Sequence, residues 1–160
     1  MIKFVKTLVV VSLIIICNGC SAIKMESIDK SNVESEVLDA FKGLVKASES
    51  LDSEKYFAYF DKEKFTGLNA DGTVWHSIKN LETLINSGFP MIDKSISLEF
   101  KNVKVTVIDQ TTAILVNEYK QSLLLKNGNL VNQSGGGTQV WFKSKGAWKL
   151  VSVSASESSK

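Results

Sequence analysis

Two side chains of this sequence could take part in acid–base chemistry. His76 is the only histidine among 160 residues, and an imidazole can act as a general base near neutral pH. Tyr119 has a phenol that could donate or orient a proton. The carboxylates Asp61 and Glu63 lie in a run with two lysines, which is typical of a solvated loop. His76 and Tyr119 are therefore the catalytic candidates.

Other kinds of site lack the residues that they require. The segment from Ser134 to Gly137 is not followed by a helical pattern and has no partner histidine, so its glycines predict a bulge or a close backbone approach. One histidine and two cysteines do not make a metal site, and we expect neither a metal nor a cofactor. All 19 basic residues are lysine, which disfavours nucleic-acid binding because arginine supplies the planar fork that reads guanine and phosphate.

The first twenty residues predict export. Lys3 and Lys6 precede an apolar stretch from Leu8 to Ile16 that is too short to span a bilayer, which is typical of a signal peptide. The following Cys-Asn-Gly-Cys-Ser resembles the lipobox of bacterial lipoproteins and indicates acylation of Cys20. Ordinary signal cleavage after Ala22 is the alternative.

These patterns divide the chain into three parts. We expect a lipoprotein signal peptide over residues 1–19, a tether over 20–30 and a single domain over 31–157. The predicted location is the bacterial cell envelope, with the lipid at Cys20 as the membrane partner; in a Gram-negative cell this is the outer membrane, facing the periplasm. Removing the signal leaves 17 lysines against 17 acidic residues, so the mature protein is formally neutral.

Helical signals fill the first half of the domain. Ser31 to Glu34 reads as a capping box, and apolar residues then recur at helical spacing to about Leu51. Asp52 can cap a second helix that carries Tyr56, Phe57 and Phe60. A short hairpin from Phe65 to Trp75, broken at Asp71-Gly72, precedes a third helix from Ser77 to Gly88.

The pattern changes to period two after Pro90. Strands separated by turns at Asp109-Gln110, Asn127 to Asn129 and Ser144 to Gly146 predict a long antiparallel meander, and a phase change at Lys101-Asn102 predicts a bulge. Three helices followed by a curved sheet indicate an α+β fold. The sheet would wrap on the three helices to form a cone.

The end of the chain carries a specific resemblance. Thr138-x-Val140-Trp141, followed by Gly146-x-Trp148-Lys149-Leu150-Val151, together with the order of elements over about residues 31–157, resembles the nuclear transport factor 2-like superfamily. The nearest branches are the SnoaL-like domains and the association domain of calcium/calmodulin-dependent kinase. The resemblance implies a pocket inside the cone and a dimer through the other face of the sheet. The positions of the kinase domain's pocket arginines fall here on Tyr119, Gln139 and Ala155, none of which is basic.

Strand alternation from those positions predicts which residues of the long strands face into the cone, and Tyr56 and Phe60 of the second helix also point inward. The predicted lining is apolar and aromatic with a few neutral hydrogen-bonding groups, and it comprises Tyr56, Phe60, Trp75, Leu115, Asn117, Tyr119, Gln139, Trp141 and Val153. Small-molecule pockets often have this composition. The alternative is that the same side chains fill the cone completely as core.

The opposite face of the sheet is also apolar. Its predicted dimer residues are Ile114, Val116, Val140, Phe142 and Leu150. Three functions remain open. The first is an envelope lipoprotein whose non-catalytic cone binds a small apolar ligand or a protein partner. The second is an isomerase-, dehydratase- or cyclase-like enzyme that uses His76 and Tyr119, and the third is a purely dimeric assembly module with a filled cone.

Overall fold

The computed structural model describes residues 29–158. The predicted signal peptide, most of the tether and Cys20 lie outside the described residues. The first helix, α1, spans Lys30–Glu49 and buries Val33, Val37, Phe41, Leu44 and Ala47. The predicted helical periodicity is therefore confirmed, but the cap is Asp29 rather than Ser31. The Asp29 Oδ1 accepts a hydrogen bond from the Asn32 amide at 3.1 Å.

The segment between α1 and the main sheet holds five short elements. Helix α2 spans Ser53–Phe57 and begins at Asp52, whose carboxylate accepts from the Lys55 amide at 3.1 Å, as predicted. Strands β1 (Thr66–Leu68) and β2 (Val74–Trp75) form the predicted hairpin. Helix α3 spans Ile78–Gly88, and a 3₁₀ turn over Phe89–Met91 leads into the main sheet.

Four long strands form the main sheet. They are β3 (Ile92–Val107), β4 (Thr112–Leu125), β5 (Leu130–Ser144) and β6 (Ala147–Glu157). These strands are antiparallel, but β1 joins β6 in parallel, so the six-stranded sheet of order β2-β1-β6-β5-β4-β3 is mixed. Two bulges matter for the site. The predicted one lies at Asn102 in β3, where φ is +51°, and a second lies in β6 at Val151.

The helices cover one face of the curved sheet, which gives the predicted cone. Phe41 of α1 packs edge-on against Phe100 of β3 with 5.0 Å between ring centroids. The start of α1 is also tied to the β5–β6 hairpin, because Glu36 Oε2 accepts from Lys143 Nζ at 2.6 Å and from Trp148 Nε1 at 2.7 Å. No helix within residues 29–158 combines the length and apolar character needed to cross a membrane.

Candidate functional site

Three rows of side chains cross the inner face of the sheet, which is the face that the helices cover. Each row takes one residue from β4, one from β5 and one from β6, and the strand register aligns them. The deep row is Leu115, Gln139 and Val153. The middle row is Asn117, Gly137 and Ala155, and the outer row is Tyr119, Gly135 and Glu157. Five of the predicted lining residues, Leu115, Asn117, Tyr119, Gln139 and Val153, belong to these rows.

The deep end of the cone is filled by packed side chains. Leu115 and Trp141 have no exposed surface, and Phe60 and Trp75 are buried in the same cluster. Phe60 packs against Phe65, which in turn stacks on Trp75. These four predicted pocket residues are core residues in this structure, so the filled-core alternative applies to the deep end.

Gln139 is buried but has a hydrogen-bond partner. Its Oε1 accepts from the Trp141 Nε1 at 3.0 Å, and only 8% of the residue is exposed. This bond holds the Trp141 indole in place two residues along the same strand. The Gln139 Oε1 is therefore already used by a hydrogen bond within the core.

Among residues 29–158, Asn117 in the middle row is the one buried polar side chain whose donor has no partner. It is 7% exposed, and its Nδ2 makes no hydrogen bond within residues 29–158. Buried polar groups in folded proteins are nearly always paired, and an unpaired one calls for a specific explanation. Asn117 therefore marks the middle row as a candidate recognition point.

Two tyrosines have raised pKa values. Burial raises the pKa of Tyr56 to about 12, while its ring packs against Phe57 and Phe89. Burial also raises the pKa of Tyr119, with a smaller contribution from the negative charge of Glu157. The Tyr119 hydroxyl donates to the Ser156 carbonyl at 3.3 Å. Both phenols are half-buried and stay protonated at neutral pH.

Glu157 was missed in the sequence prediction. It lies at the exposed end of the outer row, three residues from the end of the sequence, and a terminal Ser-Glu-Ser-Ser pattern gives no local signal of a site. Only the pairing of β6 with β5 places it opposite Gly135 and near Tyr119.

His76 lies away from these rows. It is exposed at the end of β2 and lines a cavity of about 220 Å³ with residues of β1 and β6. Tyr119 lines a different cavity, of about 130 Å³, with residues of β4, β5 and the end of the chain. The two catalytic candidates therefore do not share a cavity. No group of three or more possible metal-binding side chains occurs within residues 29–158.

A separate groove of about 800 Å³ lies outside the cone. It runs between α1, α2 and the β5–β6 hairpin, with Ala40, Gly43, Ala47 and Trp148 among its lining residues. Four lysines and two carboxylates also line it, and the Glu36–Lys143 ion pair lies at one end. The sequence did not predict this groove because its lining comes from three distant segments.

The outer face of the sheet differs from the prediction at one residue. Leu150 is only 2% exposed and packs in the core, because the bulge at Val151 brings it opposite Trp141 on the inner face. It is therefore not part of the outer face. Ile114, Val140 and Phe142 are half-buried there, and Val116 is 39% exposed. The Lys64 Nζ lies 4.1 Å from the Phe142 ring centroid and partly covers it.

Comparison with known proteins identifies the fold. A family model described as a SnoaL-like domain matches residues 37–158. A solved structure from Streptomyces avermitilis, provisionally named a dehydratase of the NTF2-like family, aligns with a TM-score of 0.71 at 17% identity and covers 81% of this chain and 99% of that chain. No curated protein matches the chain by sequence.

Two further structures share the architecture. A provisionally named aromatic ring hydroxylase from Novosphingobium aromaticivorans gives a TM-score of 0.72 at 14% identity, over 81% of this chain and 92% of that one. The association domain of CaMKII from C. elegans gives 0.64 at 19% identity, over 79% and 96%. At these identities the likeness concerns the fold alone.

Proposed function

The chain belongs to the SnoaL-like domain family, and from this premise we propose that it is a non-catalytic binding protein whose cone takes up a small, uncharged, largely apolar molecule. The observation that carries the proposal is the chemistry of the three inner rows. Val153 and Ala155 supply apolar surface, and Asn117 supplies a neutral donor. Pockets for small molecules combine apolar walls with a few placed polar groups in this way.

The tyrosines extend this neutral character toward the mouth. Because the pKa values of Tyr56 and Tyr119 are raised, neither phenol carries a charge at neutral pH. Glu157 is the acidic side chain at the mouth, and its charge disfavours an anionic ligand. The half-buried side chains of Tyr119, Val153 and Ala155 leave this end of the inner face partly accessible, so the ligand enters there.

The binding domain is held at a membrane in this proposal. Acylation at Cys20 would anchor the chain, and the tether of residues 20–30 would place the domain within about 40 Å of the bilayer at full extension. The domain would then act in the bacterial cell envelope. The lipobox-like sequence supports this part of the proposal.

The protein would act as a homodimer formed through the outer face of the sheet. Val116 is exposed there beside half-buried Ile114 and Val140, and such a patch suits symmetric pairing with its own copy. Two structural neighbours are named as kinase association domains, which supports an assembly role for the fold. Dimerisation would leave the inner face free for ligand.

A proton-transfer enzyme is the second candidate. It is favoured by the closeness of the Tyr119 phenol to the Glu157 carboxylate and by the provisional names of two neighbours as a dehydratase and a hydroxylase. The raised pKa of Tyr119 keeps its phenol protonated at neutral pH, so in such a reaction it would donate a proton rather than accept one. His76 lies in another cavity and would have no part in this reaction.

Native mass spectrometry of the protein purified from the cells that make it tests the binding function. We expect a retained small molecule in the wild type and none in Ala155→Phe, because the larger ring would occupy the middle row. Lys120→Phe is the control, since Lys120 is exposed on the outer face of β4 and the same ring there leaves the cone unchanged. A ligand-free wild type, or a ligand retained equally in all three proteins, would contradict the proposal.

A further inference from the structure

Strand β3 forms one edge of the sheet and has a free side. The strand order ends at β3, so its backbone pairs with β4 and with no second strand within residues 29–158. An unpaired edge presents N–H and C=O groups that can accept another strand. Two aliphatic side chains of β3, Ile96 and Val103, are 50% and 36% exposed along it. This edge is therefore able to bind an extended chain.

A cavity opens beside the same edge. It measures about 450 Å³, lies between α1 and β3, and takes no lining residue from β4. Its apolar walls include Leu38 and Val45 of α1 and Leu98, Phe100 and Val103 of β3. A strand that paired with β3 would cover this apolar surface.

The charged residues near the middle of β3 alternate in sign on the outer face. Glu99 lies opposite Lys120 of β4, and Lys101 lies opposite Glu118. All four side chains are exposed, and none of them takes part in an ion pair within residues 29–158. A repulsive edge would carry charges of one sign, such as a row of lysines. Alternating charges instead complement an antiparallel strand that has the same alternation.

We propose that the partner is a second copy of this chain, whose β3 pairs antiparallel with this β3 around a two-fold axis at Phe100. Glu99 of each copy then lies opposite Lys101 of the other copy. Lys120 and Glu118 extend the alternation on both sides, so rows of opposite charges cross four strands. An axis at Glu99 or at Lys101 would place two like charges opposite each other, so the charges select the register at Phe100.

The contact is short and therefore weak. Register shifts between Ser95 and Ser97 and between Lys101 and Lys104 leave residues 97–101 as the regular stretch around Phe100. Because a stable interface uses about 20–30 residues a side, we expect a dissociation constant on the order of 1 mM. Copies anchored at one membrane, as proposed above, would meet at a higher local concentration. The pairing leaves both faces of the sheet free, so it does not depend on the ligand or on the outer-face dimer.

Amide NMR of the ¹⁵N-labelled, unlipidated protein detects the pairing on dilution from about 1 mM to about 50 µM. We expect the resonances of residues 97–101 to shift with concentration and those of β2, at the opposite edge, to stay unchanged. In Glu99→Lys and in Lys101→Glu, like charges face each other across the axis, and the association should weaken about tenfold. Glu34→Lys makes the same charge change at an exposed site on α1 and should keep the wild-type shifts.

Mixing the two variants tests the register. When ¹⁵N-labelled Glu99→Lys is titrated with unlabelled Lys101→Glu, the two substituted residues face each other, and the remaining Lys101 faces the remaining Glu99. Opposite charges are thereby restored, so the shifts of residues 97–101 should return. Unlabelled Lys79→Glu, which is reversed at an exposed site on α3, should not restore them.

Three results would overturn the proposal. The first is a wild type whose resonances at residues 97–101 do not depend on concentration. The second is an association that is as strong in Glu99→Lys as in the wild type. The third is a recovery with Lys79→Glu that equals the recovery with Lys101→Glu.

Discussion

Replacing Asn117 by leucine should stabilise the ligand-free domain. The Asn117 amide is 93% buried, and its donor has no partner within residues 29–158. Leaving a buried polar group unpaired costs about 1–3 kcal/mol, whereas an apolar side chain at the same place gains from burial. Leucine has as many side-chain heavy atoms as asparagine, so its two methyl groups would take the places of the amide oxygen and nitrogen beside Gly137.

The magnitude follows from these opposing effects. Removing the unpaired amide gains about 1–3 kcal/mol, and imperfect fit of leucine beside Gly137 costs about 1 kcal/mol, so we expect a net gain of up to about 2 kcal/mol. For a domain of this size, a gain of about 2 kcal/mol raises the melting temperature by about 6–8 °C. A binding site that sacrifices stability for function has this signature.

Thermal and urea unfolding of the unlipidated domain measures the effect. Asn86→Leu is the control, because an exposed substitution should change the free energy of unfolding by less than about 0.5 kcal/mol. If Asn117→Leu loses more than about 1 kcal/mol, the amide is a paired structural group, and the reasoning about an open recognition point is wrong.

Three further predictions concern the assembly, the acid stability and the anchor. Val116→Glu should give a monomer in sedimentation at tens of micromolar. Ile108→Glu should leave a dimer, because Ile108 is an exposed aliphatic residue outside the outer face. A dimer in both variants would contradict the assigned interface. The hydrogen bonds from Lys143 and Trp148 lower the pKa of Glu36 below 4.5. The stabilising contribution of Glu36 is therefore present above pH 4.5 and is lost as the pH falls through the folded-state pKa. Glu36→Gln should reduce this loss of stability at acid pH in unfolding measurements, and an unchanged pH profile would refute the prediction. Cys20→Ser should move the protein from the membrane fraction to the soluble fraction, and continued membrane association would contradict the lipid anchor.

Local sequence patterns predicted the elements of this fold well. The helical spacing of Val33, Val37, Phe41 and Leu44 and the later period-two alternation report which face is buried, and burial of one face is what holds an element in place. The β3 bulge was also visible, because a bulge changes the phase of the alternation. These features depend on residues that are close together in the sequence.

Long-range pairing accounts for what the sequence did not show. The parallel pairing of β1 with β6 joins segments about 85 residues apart, and no local pattern specifies it. The alternation from Trp148 to Val153 is shifted by the Val151 bulge, so Leu150 was placed on the wrong face. Whether Trp141 and Phe60 line a space or fill it depends on packing among distant aromatic residues, which strand alternation does not determine.

Methyl NMR of the ¹³C-labelled domain, titrated with 2-acetylnaphthalene, tests the binding function most directly. The inner-row methyl groups of Val153 and Ala155 should shift together and saturate with one affinity, because they line the proposed site. The outer-face methyl groups of Val116 and Val140 should stay unchanged. Shifts confined to the outer face, or none at any inner-row methyl group, would contradict a ligand site inside the cone.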